Sequence, residues 1–135
     1  MNLLVNIDVD DLSAAERFYV DAFGVRVGRR LGADVIELLG LAAPIYLLRK
    51  SVGSAPFKGS RQTRDYARHW TPVHLDLVVD DVDATVARAV AAGAVLESPA
   101  RSHEWGRVAG LADPWGNGFC VLQFLGRGYD ALADA

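Results

Sequence analysis

The sequence predicts an α+β fold built from two βαβββ modules, and three observations predict it. One short pattern occurs twice, about 70 residues apart: Leu4-Val5-Asn6-Ile7-Asp8-Val9-Asp10-Asp11-Leu12, and His74-Leu75-Asp76-Leu77-Val78-Val79-Asp80-Asp81-Val82. In both copies alternating apolar residues run into a Val-Asp-Asp corner and then into a helical pattern, with Val9 matching Val79, Asp10 Asp80, Asp11 Asp81 and Ala14 Ala84. Each copy is then followed by three short apolar segments separated by turn residues. A repeat of this kind marks two similar supersecondary units, and 135 residues suffice for one compact domain with a real core.

In the first module, residues 3–9 read as a strand with Val5, Ile7 and Val9 on one face and Leu4, Asn6 and Asp8 on the other. Asp11 and Ser13 are both candidate helix caps, and Ser13 with Glu16 has capping-box spacing. Ala15, Phe18, Tyr19 and Ala22 recur at helical spacing, and Gly24 stops the helix. Strands follow near 25–31, 34–40 and 44–49, punctuated by Gly32 and the 40–44 region. The second module repeats the plan with a strand over 73–79, a helix over 82–92 ending at Gly93, and strands near 94–99, 106–112 and 118–125. Asp113-Pro114-Trp115-Gly116-Asn117-Gly118 is a turn, because Pro fixes φ while Gly and Asn tolerate positive φ. The expected organisation is a single domain over 1–135: module 1 about 1–50, a linker about 51–71, module 2 about 72–126, and a tail from 127 to 135 that is either a short peripheral helix or frayed.

Strand alternation also predicts where a site lies. With Val5, Ile7 and Val9 against the first helix, Leu4, Asn6 and Asp8 face away from it; by the same logic His74, Asp76 and Val78 face away from the second helix. If the two mixed sheets curve toward each other, these faces line a concave pocket, partly apolar with a few polar groups, as a small-molecule site requires. The linker is long and carries Lys58, Arg61, Arg64 and Arg68, which read either as a solvated face or as a lid favouring an anionic ligand. Trp105 and Arg107 are expected to share a face and to stack on and charge-pair with a planar acid.

Composition excludes other classes. The formal net charge is −3, which gives no bulk positive field for nucleic acid. No apolar run approaches bilayer length, so no membrane partner is expected, and the N-terminus lacks a signal-peptide pattern. Cys120 is the only cysteine, so no intrachain disulfide forms and a reducing, cytoplasmic setting is the simplest expectation. There is no glycine-rich phosphate loop between a strand and a helix and no serine in a nucleophile elbow.

The Val9-Asp10-Asp11-Leu12 corner running into Phe18-Tyr19 and Gly24, then His74-Leu75-Asp76-Leu77, then Asp113-Pro114-Trp115-Gly116-Asn117, in this order and spacing, resembles the vicinal-oxygen-chelate superfamily. That group includes the glyoxalases, extradiol dioxygenases and bleomycin-resistance proteins. The resemblance covers nearly the whole chain and implies the glyoxalase-like fold and a homodimer. It also implies four equivalent metal-ligand positions, commonly His, Glu, His and Glu, which fall here on Leu4, Tyr46, His74 and Cys120. Leu4 has no donor atom and a neutral phenol is a poor ligand, whereas a catalytic divalent ion needs about three protein ligands and an open position.

The favoured expectation is therefore a metal-free protein, without cofactor, that binds a small organic molecule, anionic or aromatic, through Leu4, Asn6, Tyr46, His74, Asp76, Trp105, Arg107 and Cys120. One alternative is a metal-dependent lyase, isomerase or dioxygenase with an atypical ligand set of His74, Cys120 and either Asp8 or Asp76. Another is a metal-free enzyme with His74 as catalytic base and Tyr46 or Arg107 stabilising charge. Each residue also has a plainer reading: His74 as a hydrogen-bonded strand residue, Cys120 as a small buried hydrophobe, Tyr46 as packing, and Asp10, Asp11, Asp80 and Asp81 as caps and turn residues.

Overall fold

A computed structural model describes residues 1–134. Two compact units divide the chain, Met1–Tyr66 and the residues from Ala67 onward. The boundary falls inside the expected linker, so 51–66 belong with the first unit and 67–71 with the second.

The first unit runs β1 (Val5–Val9), α1 (Leu12–Phe23), β2 (Arg26–Leu31), β3 (Val35–Leu39) and β4 (Ile45–Arg49). Its strands form one sheet in the order β1-β4-β3-β2, with β1 parallel to β4 and the other pairs antiparallel. The second unit runs β5 (Leu75–Val78), α2 (Val82–Ala92), β6 (Val95–His103), β7 (Gly106–Ala112) and β8 (Gly118–Phe124), in the order β5-β8-β7-β6 with the same mixture of directions. Two mixed sheets, each with one helix, are the α+β arrangement that the repeat predicts.

Burial follows the predicted stripe. Helix α1 buries Ala15, Phe18, Tyr19 and Ala22, and Phe18 meets Tyr19 and Phe23 edge-on at 5.1 and 6.0 Å between ring centroids. Ile7, Val9, Leu38 and Leu47 complete that core, as Val82, Ala89, Leu111 and Val121 do in the second unit. Each large aliphatic or aromatic side chain so buried contributes roughly 1.5–3 kcal/mol.

Both helices begin and end alike. Asp11 accepts a hydrogen bond from the Ala14 amide at 2.9 Å and Asp81 from the Ala84 amide at 3.0 Å. Gly24 and Gly93 end them with φ of 66° and 119°, a conformation that disfavours any side chain. The Ser13–Glu16 capping box does not form. Asp11 occupies the cap position, Ser13 lies within the helix, and the Glu16 carboxylate is held by both terminal nitrogens of Arg30 at 2.8 Å.

Several strand bounds differ from the sequence expectation, and the tail forms the short helix that is one of its two expected states. Strand β1 starts at Val5, not at residue 3. Strand β6 continues to His103, past Pro99, because it is an edge strand and its ladder to β7 is already irregular between Ser98 and Arg101. The tail holds a short 3-10 helix, Gly128–Ala131, and its last expected residue, Ala135, lies outside the described residues.

Removing either real cap should cost about 1 kcal/mol. Asp11→Ala and Asp81→Ala are expected to lower the urea midpoint measurably, whereas Ser13→Ala leaves it nearly unchanged. Equal losses at Asp11 and Ser13 would contradict the cap assignment.

Candidate functional site

Parity along the strands fixes which side chains share the face turned away from each helix. Register pairs Asn6 with Tyr46 and Glu37 with Tyr46 in the first sheet, and Asp76 with Cys120 and Gly110 with Cys120 in the second. Leu4 and His74, Asn6 and Asp76, Tyr46 and Cys120, and Glu37 and Gly110 are therefore equivalent positions in the two modules.

In the second unit, His74 lies just before β5, Asp76 within it, and Cys120 beside Asp76 on β8. The His74 Nε2 stands 3.4 Å from an Asp76 carboxylate oxygen. One donor atom from each of His74, Asp76 and Cys120 lies within 4.8 Å of the other two. Burial, and then the Asp76 charge, push the Cys120 thiol up to about 11, so it keeps its proton at neutral pH. The set combines imidazole, carboxylate and a protonated thiol, all of which suit a borderline-soft divalent ion once the thiol gives up its proton.

The ring of His74 is held from one side. Trp70 stacks on it at 4.6 Å with 23° between planes, and the Arg68 guanidinium lies 5.4 Å from the Trp70 ring centroid. This stack is anchored by the backbone: the His69 amide donates to the Gly116 carbonyl at 2.8 Å, and the Gly118 amide donates to the His69 carbonyl at 2.9 Å. Gly118 is needed there, because a Cβ would collide with the Trp70 ring. The turn itself is tied by Asp113, which accepts from the Trp115 and Asn117 amides and from the Asn117 side chain. Trp115 is buried against this turn, as a packing residue.

The first unit holds a different polar group on the equivalent face. Glu37 is only 4% exposed. Its carboxylate accepts from the Arg29 amide and Nε at 3.0 Å each, from Arg29 Nη2 at 2.5 Å and from the Tyr46 hydroxyl at 2.6 Å. Arg29 Nη2 also donates to the Tyr46 oxygen at 2.9 Å. These hydrogen bonds, foremost those from Arg29 and Tyr46, hold the Glu37 carboxyl down at about 2. The hydrogen bond to Glu37, followed by burial, raises the Tyr46 phenol, so it stays protonated. Tyr46 is thus a donor committed to Glu37, not a free hydroxyl.

Several expected site residues fall elsewhere. Arg107 pairs with Gln123, whose side chain reaches the Val82 amide at the start of α2, so Arg107 is on the helix face. Its guanidinium is bound to both carboxylate oxygens of Asp83 at 2.8 and 3.1 Å. Trp105 sits in the β6–β7 turn, stacked on His103 and packed against Phe124 and Tyr129. Trp105 and Arg107 therefore do not form the expected shared surface, because each is absorbed by a local partner. Asp8 is bound by Arg64 at 2.6 Å, and Arg68 holds Glu97 at 2.5 Å. Two of the four basic linker residues are thus already neutralised. Leu4 and Asn6 are exposed, Leu4 by 54%. A cavity of about 460 Å³ opens at the start of α1, lined by Asp11, Ser13, Arg30, Ile36 and Arg49 among others, and it contains none of the expected site residues.

Arg29 and Glu37 were not foreseen. The signal was present in Val35-Ile36-Glu37-Leu38-Leu39, where a lone charge interrupts an apolar strand. A carboxylate there must find a cation or lose its charge.

Comparison with known proteins agrees with this architecture. A family model described as a glyoxalase-like domain matches residues 4–122. The anthracycline biosynthesis protein DnrV of Streptomyces peucetius is 33% identical over 132 residues, covering 96% of this chain and 43% of that protein. The chain thus spans under half the length of that curated relative. Uncharacterized protein Mb0911c of Mycobacterium bovis is 34% identical over 120 residues, covering 85% of this chain and 78% of its own length. Among solved structures, TioX from Micromonospora sp. ML1 aligns with a TM-score of 0.71 at 22% identity, covering 93% of this chain and 99% of its own. A glyoxalase/bleomycin resistance protein/dioxygenase family enzyme from Burkholderia phytofirmans PsJN aligns with a TM-score of 0.67 at 24% identity, covering 90% and 97%. With a family match across 4–122 on a twice-repeated βαβββ plan, this chain belongs to the glyoxalase-like domain family of the vicinal-oxygen-chelate superfamily.

Proposed function

We propose that this protein binds a small organic molecule on the sheet faces turned away from its helices, without a bound metal. The observation that carries this reading is the fate of two equivalent positions in the first module. Leu4 offers no donor, and the Tyr46 hydroxyl is spent on Glu37. A catalytic divalent ion takes about three protein ligands and keeps one position open. Those faces instead mix apolar side chains such as Leu4 and Val78, exposed by 54% and 59%, with a few fixed polar groups. That mixture suits recognition of an organic ligand. The relative named for anthracycline biosynthesis is in keeping with a small organic compound as the ligand class.

A second reading has its own support. His74, Asp76 and Cys120 bring an imidazole, a carboxylate and a thiol within 4.8 Å of one another. They would hold a divalent ion, which would supply Lewis-acid chemistry when bound. In that case the Trp70 stack fixes the imidazole plane, Asp76 lies beside it at 3.4 Å, and Cys120 must release its proton. The same His74–Asp76 pair would serve a metal-free enzyme with His74 as base.

Elemental analysis of protein purified without chelator is expected to find substoichiometric divalent metal. A full equivalent of zinc, cobalt or iron, lost in His74→Ala, would overturn the metal-free reading and establish the second. The environment of the Cys120 thiol is tested separately, on protein shown to be free of metal. The thiol's folded value of about 11 lies above that of a free thiol. Alkylation by iodoacetamide at pH 8 should therefore be at least tenfold slower in the native protein than after denaturation, and should climb with pH through 10. The sign for stability follows. A raised thiol favours the fold while protonated, and that contribution is lost as pH rises from about 9 toward 11.

A further inference from the structure

The Arg29–Glu37–Tyr46 group is not something the fold requires. The equivalent place in the second module holds Gly110 instead of Glu37, and a Cβ added there would come within 3.2 Å of Ser98. In the first module Gly28 plays the complementary part: a Cβ on it would stand 2.5 Å from a Glu37 carboxylate oxygen and 2.8 Å from Leu39. One sheet thus makes room for a buried carboxylate, and its counterpart closes with small residues alone. A buried charge has a desolvation cost that a stabilising role rarely recovers better than apolar packing would.

The group's outward side shows what it could recognise. Glu37 is buried, but the Arg29 side chain is 68% exposed. Its Nε and Nη2 are fixed by Glu37 and Tyr46, which among the described residues leaves Nη1 as the remaining donor on a guanidinium locked in orientation. Parity places Val35, Leu39 and Leu48 on the same face. The charges of Arg29 and Glu37 cancel. A ligand anion would meet a cation already neutralised and a carboxylate close behind it. An uncharged oxygen acceptor would gain the hydrogen bond without that repulsion.

We propose that Arg29, oriented by Glu37 and Tyr46, is the recognition point for an uncharged carbonyl oxygen on an otherwise apolar ligand. The inference rests on the small-molecule reading above and narrows its ligand class. Glu37 and Tyr46 are positioning residues, since they act through Arg29.

Three ring probes of one shape test it by NMR titration: indane, its ketone 1-indanone, and a carboxylated 1-indanone. The ketone should bind about tenfold tighter than the hydrocarbon, with the carboxylate no better than the ketone. Arg29→Met should erase the ketone's advantage over indane, bringing the two affinities together. Glu37→Gln keeps one acceptor oxygen, for Arg29 Nη2 and the Tyr46 hydroxyl, gives up the other and uncovers the cation, so preference should move about tenfold toward the carboxylated probe. If Arg29→Met does not fold, the Glu37→Gln exchange of preference decides the matter alone. A ketone advantage that survives Arg29→Met, or a wild-type preference for the carboxylate, would overturn the inference and leave the small-molecule reading standing. No binding of any of the three would overturn both.

Discussion

Each sheet of this protein has one helix, and that single constraint governs the rest. A helix can close only one face, and strand side chains alternate strictly between the two. Once Ile7 and Val9 are committed to α1, and Leu77 and Val121 to α2, every second residue is forced onto the opposite face. Asn6, Asp8, Glu37 and Tyr46 in one module, and Asp76 and Cys120 in the other, stand where they do for this reason. The chemistry of the protein is the remainder left by its core.

Much of this was readable in the residues. The Val-Asp-Asp corner gave the two helix starts because an Asp before a helical stripe has one economical use, accepting the first free amides. Parity puts His74 and Asp76 on one face, the family resemblance puts Cys120 at an equivalent ligand position, and backbone register makes Asp76 and Cys120 direct neighbours. The failures share a cause. Arg107 is expected to meet a ligand, and Arg64 and Arg68 to form either a solvated face or a lid, yet each closes onto a carboxylate distant in sequence: Asp83, Asp8 and Glu97. Sequence spacing reveals which face a strand residue occupies, but not which side chain from another element reaches it. Glu37 was missed for the same reason, since its partner Arg29 lies across a hairpin whose ladder is irregular between Val27 and Arg30.

The balance of charge follows from these pairs. Most of the arginines that might have drawn an anion to the sheet faces are answered locally, and this weakens the picture of an electropositive lid. On the proposed small-molecule reading, polar recognition would rest on oriented hydrogen-bond donors more than on net field. In this respect the two modules have diverged: one presents a guanidinium fixed from behind by a carboxylate, the other an imidazole fixed from the side by an indole.

The exchange of small and large residues between modules has an evolutionary corollary. Glu37 fits only while residue 28 is glycine, and Gly110 sits where Ser98 has come close. Converting the first half toward the second removes the acceptor that Arg29 and Tyr46 share, while converting the second toward the first requires Ser98 to give way by a few tenths of an ångström. A chimaera repeating either half twice would inherit the geometry of only one of them.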